Sequence, residues 1–290
     1  MRSTPTSREL AAFHKEVLQE GRKLYRDLPW RHTQDPYEIW ISEVMLQQTQ
    51  VSRVEKRWPA WLAEFPTLET LVTATRAQVL NVWQGMGYNR RALSLLRAAR
   101  QLVDAGTSIP SEENALVALP GIGATTAAGI RAFAFDLPSV YLDTNVRSVF
   151  LYYFFRGESK ISDAILRPIV CATCPKNDTD PTDDPRTWYY ALLDVGACLK
   201  RMIPNPSRQS ASYSRQSKFD GSHRQKRAEI LKIILGEPEG ITTEGIADQV
   251  NEVEECAGRP PVSTHEIQRI LNELQKEDFC RFNDNDVWLA

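Results

Sequence analysis

Apolar residues along the chain recur mostly at helical spacing and strict alternation is rare, so the expectation is a mainly α protein. A first helix is predicted from Glu9 to Tyr25, broken by Leu28-Pro29-Trp30-Arg31. Asp35-Pro36 restarts the chain as an N-cap followed by proline at the first helical position. Tyr37, Trp40, Ile41, Val44 and Met45 then fall at i, i+3, i+4, i+7 and i+8, one apolar stripe. Further helical patterns cover about 52–64, 67–73, 76–84, 89–105, 112–118, 124–135 and 144–155. The short connections between them predict a compact all-α body.

Arg167 to Thr187 is polar and rich in Asp and Pro, and Trp188 to Leu199 reads as another helix. From 204 to 222 the chain is serine-rich and loses helical periodicity, which predicts a linker. Helical patterns at 223–235, 242–252 and 264–277 are followed by Phe279-Cys-Arg-Phe, the turn Asn283-Asp-Asn-Asp, and Val287-Trp-Leu. Three helices closed by a hairpin resemble a winged helix-turn-helix, with Thr264 to Lys276 in the place of the recognition helix. That helix carries Glu266, Arg269, Glu273 and Lys276, so a packing or protein-docking module is the alternative. The expected domains are 1–203, 204–222 as a basic linker, and 223–290. Within the first, a six-helix module spans about 30–138, and the N-terminal helix joins 139–203 in a second.

Composition narrows the class. With 290 residues, two domains are expected, and 42% hydrophobic with 25% charged residues excludes bulk disorder. No apolar run is long enough to span a membrane, and no membrane partner is expected. The N-terminus lacks the apolar core of a signal peptide, so a cytoplasmic location is expected, nucleoid-associated if the source is prokaryotic. Cys171, Cys174, Cys198, Cys256 and Cys280 are too scattered for a disulfide framework. A formal net charge of -2 argues, taken alone, against nucleic acid. Yet between Lys200 and Arg227 eight basic residues face a single acid, Asp220, which reads as phosphate contact or as a solvated tether.

Three motifs carry chemistry. Leu119-Pro120-Gly121-Ile122-Gly123 lies between two helical patterns and continues into Ala124-Thr125-Thr126. Its glycines permit a tight turn and the close approach of another backbone, and the following helix N-terminus suits a phosphate. Ser42-Glu43-Val44-Met45-Leu46-Gln47-Gln48-Thr49-Gln50 places Glu43 off the apolar stripe, facing solvent or a cleft. Leu142-Asp143-Thr144-Asn145 ends an apolar stretch at a carboxylate where a helix begins, so Asp143 is at least an N-cap.

Together these stretches resemble the helix-hairpin-helix DNA glycosylases of the endonuclease III superfamily, and within it the MutY-like adenine glycosylases that remove A opposite 8-oxoguanine. The resemblance covers roughly Leu28 to Cys198. It implies an endonuclease III-like fold of two helical modules, with the substrate base flipped into the cleft between them. It implies Glu43 as general acid, Asp143 as the carboxylate that stabilises the oxocarbenium-like sugar, and Asn145 as its neighbour. Trp30, Arg31 and Leu46 match adenine-pocket residues, Gln48 a residue inserted into the duplex, and Met86 and Tyr88 a wedge at the opposite base. Leu119, Gly121, Gly123 and Thr126 belong to the hairpin that meets the DNA backbone. Core packing is the alternative for the pocket, insertion and wedge residues. The implied partner is double-stranded DNA with a mismatch or oxidised guanine, bound by a monomer.

Three departures qualify the resemblance. The lyase branch has a lysine where Thr125 stands, so no Schiff base forms there and water is the expected nucleophile. The family's [4Fe-4S] ligand spacing, begun at Cys198, lands on Asn205, Arg208 and Ser214, so the cluster is expected to be absent and no cofactor is expected. Cys171-x-x-Cys174 alone does not replace it. The C-terminal segment does not resemble the Nudix-like domain that usually reads 8-oxoguanine; Phe219 and Ser222-His223 only echo its reading loop. The competing functions are a thymine or uracil mismatch glycosylase of the same fold and a non-catalytic winged-helix DNA-binding protein. Glu43 in its motif favours adenine, and the trio Glu43, Asp143 and Asn145 favours an enzyme.

Overall fold

The computed structural model describes residues 5–176, 183–214 and 218–290. In chain order its helices are α1 (Ser7–Lys23), α2 (Pro36–Leu46), α3 (Val51–Glu64), α4 (Leu68–Thr73), α5 (Arg76–Trp83), α6 (Arg90–Asp104) and α7 (Glu113–Val117). They continue as α8 (Ala124–Phe135), α9 (Thr144–Phe154), α10 (Asp163–Thr173), α11 (Pro185–Met202), α12 (His223–Gly236), α13 (Thr243–Cys256) and α14 (Thr264–Lys276). Single 3-10 turns occupy Pro29–Arg31 and Pro206–Gln209. The helical body is therefore as the periodicity predicts, with one addition. Helix α10 runs into the polar stretch from Arg167, where Pro168 sits inside a helix whose Leu166, Ile169 and Val170 are buried.

Two compact units divide the chain: Met1–Trp58 with Asp104–Arg215, and Pro59–Val103 with Gln216–Ala290. This division crosses the domain limits expected from sequence, since residues 59–103 group with the C-terminal helices. The first half of the expected linker also groups with the first unit.

In the first unit α1, α9 and α11 pack around Phe13, Val17, Phe150, Trp188 and Tyr189, all buried. Burying each such large apolar side chain contributes about 1.5–3 kcal/mol. Thr6 and Glu9 close α1 with a reciprocal capping box. Asp35 caps α2, accepting from the N–H of Tyr37 at 2.8 Å and of Glu38 at 3.1 Å. Helix α2 departs from a single stripe: Tyr37 and every residue from Ile39 to Met45 are buried, as in a helix enclosed by its neighbours.

The stretch after α11 is docked rather than solvated. Ser207 and Ser210 are buried, and the Ser207 hydroxyl lies 2.7 Å from that of Ser148 on α9. Ile161 N–H donates to Gln209 O at 2.9 Å, and Ala211 N–H returns a bond to Ile161 O at 2.8 Å.

In the second unit Trp61 packs edge-on to Trp83 and Phe65, at 5.5 and 5.0 Å. Helices α12 to α14 enclose Ile230, Ile234, Ile246, Val250, Ile267, Ile270 and Leu274. Strands β1 (Arg281–Phe282) and β2 (Trp288–Leu289) pair antiparallel, and Ile241 bridges to Trp288. The basic run is partly consumed here: Lys226 pairs with Glu266 at 3.2 Å, and Arg227 with Glu273 and Glu277 at 2.7 and 3.1 Å. These two bases therefore leave the set of candidate phosphate contacts, while Arg201 and Arg208 remain exposed.

Candidate active site

Glu43 is 8% exposed, on the side of α2 that packs against α8. Gly129 of α8 makes that burial possible. A Cβ there would lie 2.1 Å from Glu43 Oε2 and 2.7 Å from its carboxyl carbon, so any larger residue would displace the carboxyl group. The Tyr141 side chain hydrogen-bonds to Glu43. Burial, and secondarily the negative charge of Asp143, push Glu43 up to about 8, against a smaller opposing effect of the Tyr141 bond. The side chain is accordingly a neutral acid at pH 7.

Asp143 meets the opposite surroundings. It precedes α9, and its Oδ1 accepts from the backbone N–H of Asn145 at 2.6 Å and of Val146 at 2.9 Å. Helix amides and dipole favour negative charge at this place. Gly196 lets α11 approach the first turn of α9, since a Cβ at Gly196 would stand 2.3 Å from the Asn145 carbonyl oxygen. Arg147 fixes the same turn through two bonds to Asp163, at 3.0 and 2.9 Å.

A cavity of about 740 Å³ in the first unit is lined by Glu43, Asp143, Asn145 and Thr125. Trp30, Arg31, Leu46, Gln48, Gly121, Gly123 and Thr126 line it too, so the structure brings together eleven of the fourteen residues marked in the sequence. Gln48 stands exposed at φ 54°, a left-handed backbone for a non-glycine residue. Gly121 needs its freedom at φ 81°, whereas Gly123 is extended at φ -90° with open space where a side chain would stand. Thr126 is turned inward, accepting from Gln47 Nε2 at 2.8 Å, and Leu119 is buried under the hairpin. Leu119 is thus an anchor of the hairpin and not a contact surface.

Met86 and Tyr88 belong to the second unit and part company. Met86 is 2% exposed, a core residue, while Tyr88 is 43% exposed at φ 49°, between Gly87 and the start of α6. The Gly87 carbonyl accepts from Trp83 Nε1 at 3.1 Å and from Arg91 at 3.0 Å, which fixes the loop that presents Tyr88. Only Tyr88 has the exposure a wedge requires.

Several features of the site gave no signal in the sequence, among them what holds Arg31 in place. Arg31 is buried and held by Asp194 through two bonds, at 2.7 and 2.8 Å, with Arg26 adding a third at 2.5 Å. The partner lies 163 positions away, beyond any local pattern. Tyr141, Tyr190 and Gly129 were missed for the same reason; the small-residue run Ala127-Ala128-Gly129 was the one available hint of a close helix contact.

The residues present do not fit a [4Fe-4S] cluster. Cys198 Sγ lies 3.4 Å from Met202 Sδ, the Asn205 side chain accepts from Ser207 N–H at 3.0 Å, and Arg208 and Ser214 are exposed. A cubane needs four thiolate-class ligands, and this set supplies one. Cys171 is exposed and Cys174 buried, with burial pushing the Cys174 thiol up.

Residues 41–169 match the family model described as "HhH-GPD superfamily base excision DNA repair protein". The adenine DNA glycosylase of Mycolicibacterium smegmatis is 32% identical over 244 residues, which cover 78% of this chain and 82% of the relative. The chain belongs to the adenine DNA glycosylase family of the HhH-GPD superfamily. Another member, from Mycobacterium tuberculosis, is 41% identical over 63% of this chain and 60% of its own. The adenine DNA glycosylase of Buchnera aphidicola is 36% identical over 62% of this chain, which spans half the length of that relative. Among solved structures, a thermostable thymine-DNA glycosylase superimposes with a TM-score of 0.59 at 24% identity, covering 69% of this chain and 91% of that one. An endonuclease III trapped on DNA gives 0.53 at 18% identity, over 66% and 85%. These two likenesses establish the endonuclease III-like fold that the family member shares.

Proposed function

We propose that this chain is a monofunctional DNA N-glycosylase of base excision repair, removing adenine mispaired with 8-oxoguanine or guanine from double-stranded DNA. The observation that carries the reading is the pairing, in one cavity, of a neutral buried acid, Glu43, with a helix-capping carboxylate, Asp143. Glu43 gives its proton to a ring nitrogen of the flipped adenine, and the bond from C1′ to N9 breaks with its electrons leaving on the base. Asp143 stabilises the positive charge that develops on the sugar. Water then adds to C1′ and passes a proton to Asp143, leaving an abasic site. Thr125 and the absence of lysine from the lining residues support water over a Schiff-base nucleophile.

Hydrogen-bonding character supports adenine over thymine or uracil. The neutral Glu43 can donate, and Arg31 Nε, a donor, is buried with no partner among the described residues. Adenine linked through N9 offers three basic ring nitrogens to such donors and to a proton, whereas thymine and uracil put an N–H donor at N3 and carry their acceptors on weakly basic carbonyl oxygens. Exposed Gly121 and Gly123 supply backbone amides for DNA phosphates, and Tyr88 probes the opposite base. The protein acts as a monomer without an iron-sulfur cluster; in place of the metal, the Ser207–Ser148 pair and the backbone bonds at Ile161 hold the loop after α11.

Single-turnover base release from duplexes carrying A:8-oxoguanine, A:G, T:G and U:G tests the reading. Release of adenine is expected, with Glu43→Gln and Asp143→Asn as inactive controls; release of thymine or uracil alone overturns it. Stoichiometric iron in active protein would overturn the cluster-free part.

A further inference from the structure

The loop between α5 and α6 holds its exposed tyrosine in a costly backbone conformation. Tyr88 follows two left-handed glycines, Gly85 at φ 80° and Gly87 at φ 70°, and itself takes φ 49°. Outside glycine such a conformation is disfavoured, and it persists where its surroundings fix it. The fixing group here is the side chain of Arg91, in the first turn of α6. Its Nη2 donates to the carbonyl oxygens of Met86 at 3.3 Å and Gly87 at 3.0 Å, so the helix that follows the loop reaches back and clasps it.

The same guanidinium lies over two rings, 5.2 Å from the centroid of Trp83 and 5.5 Å from that of Tyr88. Trp83 is fully buried and packs edge-on to Trp61, which roots this arrangement in the core of the second unit. A planar guanidinium suits such stacking, and a compact ammonium does not. Burial pushes Arg91 down to about 10, with Tyr88 opposing, so the group is still a cation at neutral pH. The adjacent arginine is used differently: Arg90 is exposed and reaches out to Glu277 at 3.1 Å. Arg91 is half-buried and turned back toward the loop.

We propose that Arg91 is the positioning residue of the opposite-base probe: its guanidinium backs the Tyr88 ring and clasps the loop, so that the ring is presented ready to stack on the base opposite the excised adenine. The assignment rests on the adenine glycosylase reading above, in which Tyr88 meets that base. An aromatic side chain already held in place loses less freedom when it stacks, and so less of the contact is spent on ordering it. Tyr88 has this backing and still keeps 43% exposure for DNA. Arg91 acts through Tyr88, so its removal has no effect on the probe once the ring is gone.

Arg91→Met removes the charge, the plane and the two carbonyl bonds, whereas Arg91→Lys keeps a cation able to donate to the same carbonyls and lacks the plane. Each is made in the full-length protein with Tyr88 present and with Tyr88→Ala, and single-turnover adenine release is measured on an A:8-oxoguanine duplex. With Tyr88 present, Arg91→Met should slow release by about tenfold, the size of one base–aromatic stack, and Arg91→Lys by about threefold. In the Tyr88→Ala background neither should change the rate by more than about twofold. Equal falls in both backgrounds overturn the assignment in favour of a general packing role. If Arg91→Met melts below the assay temperature, the Arg91→Lys pair decides by the same criterion. The salt dependence of DNA affinity should be the same for Arg91→Met and wild type; a log–log slope smaller by about one makes Arg91 a phosphate contact and also overturns it. A wild type that releases adenine no faster than Tyr88→Ala overturns the probe and this assignment while the glycosylase reading stands. A wild type that releases adenine from no duplex overturns that reading itself.

Discussion

Glu43 lies within α2, walled by apolar neighbours and by the backbone of α8 at Gly129; Asp143 lies just before α9, where two amides point at its oxygen. One region removes a carboxyl group from water and gives it no positive partner among the described residues. The other keeps it half-exposed and supplies backbone donors. The difference shows how a helical protein can separate two identical functional groups into an acid and a stabilising anion by placement alone: a position inside a buried helix raises the cost of charge, and an N-cap position lowers it. No metal is needed for that separation, and both positions depend on glycines in neighbouring helices, Gly129 admitting the Glu43 carboxyl group and Gly196 the Asn145 backbone.

The largest expected effects break one side of the comparison at a time. Glu43→Gln cannot give a proton and Asp143→Asn cannot offset charge, so each should slow single-turnover adenine release by roughly a thousandfold. Equal substrate affinity for both variants in a binding assay would show that chemistry alone is lost.

The same acid sets a pH dependence of stability. In the unfolded chain Glu43 ionises near its ordinary 4.5, and in the folded protein near 8. Below 4.5 it is neutral in both states and its contribution is fully present. Between 4.5 and about 8 the unfolded state alone ionises, so stability is lost with rising pH, and the loss is complete above about 8. Glu43→Gln should therefore be more stable than wild type by something on the order of 3 kcal/mol at pH 7 and by little at pH 4. Denaturant titrations at the two pH values measure it, and an equal gap at both contradicts the burial argument.

Gly129→Ala sharpens the geometric side. Its methyl would occupy the space of Glu43 Oε2, and a shift of about 1 Å in a reacting group costs about a hundredfold in rate. Base release under single-turnover conditions should fall by that order while DNA affinity holds. The smallest effect concerns α9, the helix that the other carboxylate caps. Ser207→Ala removes one hydroxyl from the pair that ties the loop after α11 to α9, and should lower stability by about 1 kcal/mol in a denaturant melt.

How much of this was legible in the sequence follows from how local each signal is. The helices, the Asp35 cap with Pro36 behind it, the hairpin at Gly121 and the N-cap role of Asp143 all depend on residues a few positions apart, and the structure keeps them. The burial of Glu43 depends on Gly129, some eighty positions on, and periodicity could offer only solvent or a cleft. Arg31 read as a pocket residue through resemblance alone; its fixation by Asp194 is a tertiary fact. Met86 and Tyr88 carry equal weight as a sequence pair, yet the left-handed turn at Gly87 and Tyr88 sends one to the core and the other outward. The basic run from Lys200 to Arg227 overstated the phosphate-contact surface because the acids that neutralise Lys226 and Arg227 lie on α14. Residues 223–290 as a whole hold eight Lys or Arg against fourteen Asp or Glu, so their charge favours packing over DNA contact.

The central claim is that Glu43 works as a neutral acid at physiological pH. The most direct test is the pH profile of single-turnover adenine release from an A:8-oxoguanine duplex, taken from about pH 6 to pH 9.5 for wild type and Glu43→Gln. The expected profile for the wild type falls about tenfold per pH unit above a midpoint near 8, and Glu43→Gln lacks that limb. A wild-type rate that stays flat or rises through pH 8 would contradict it.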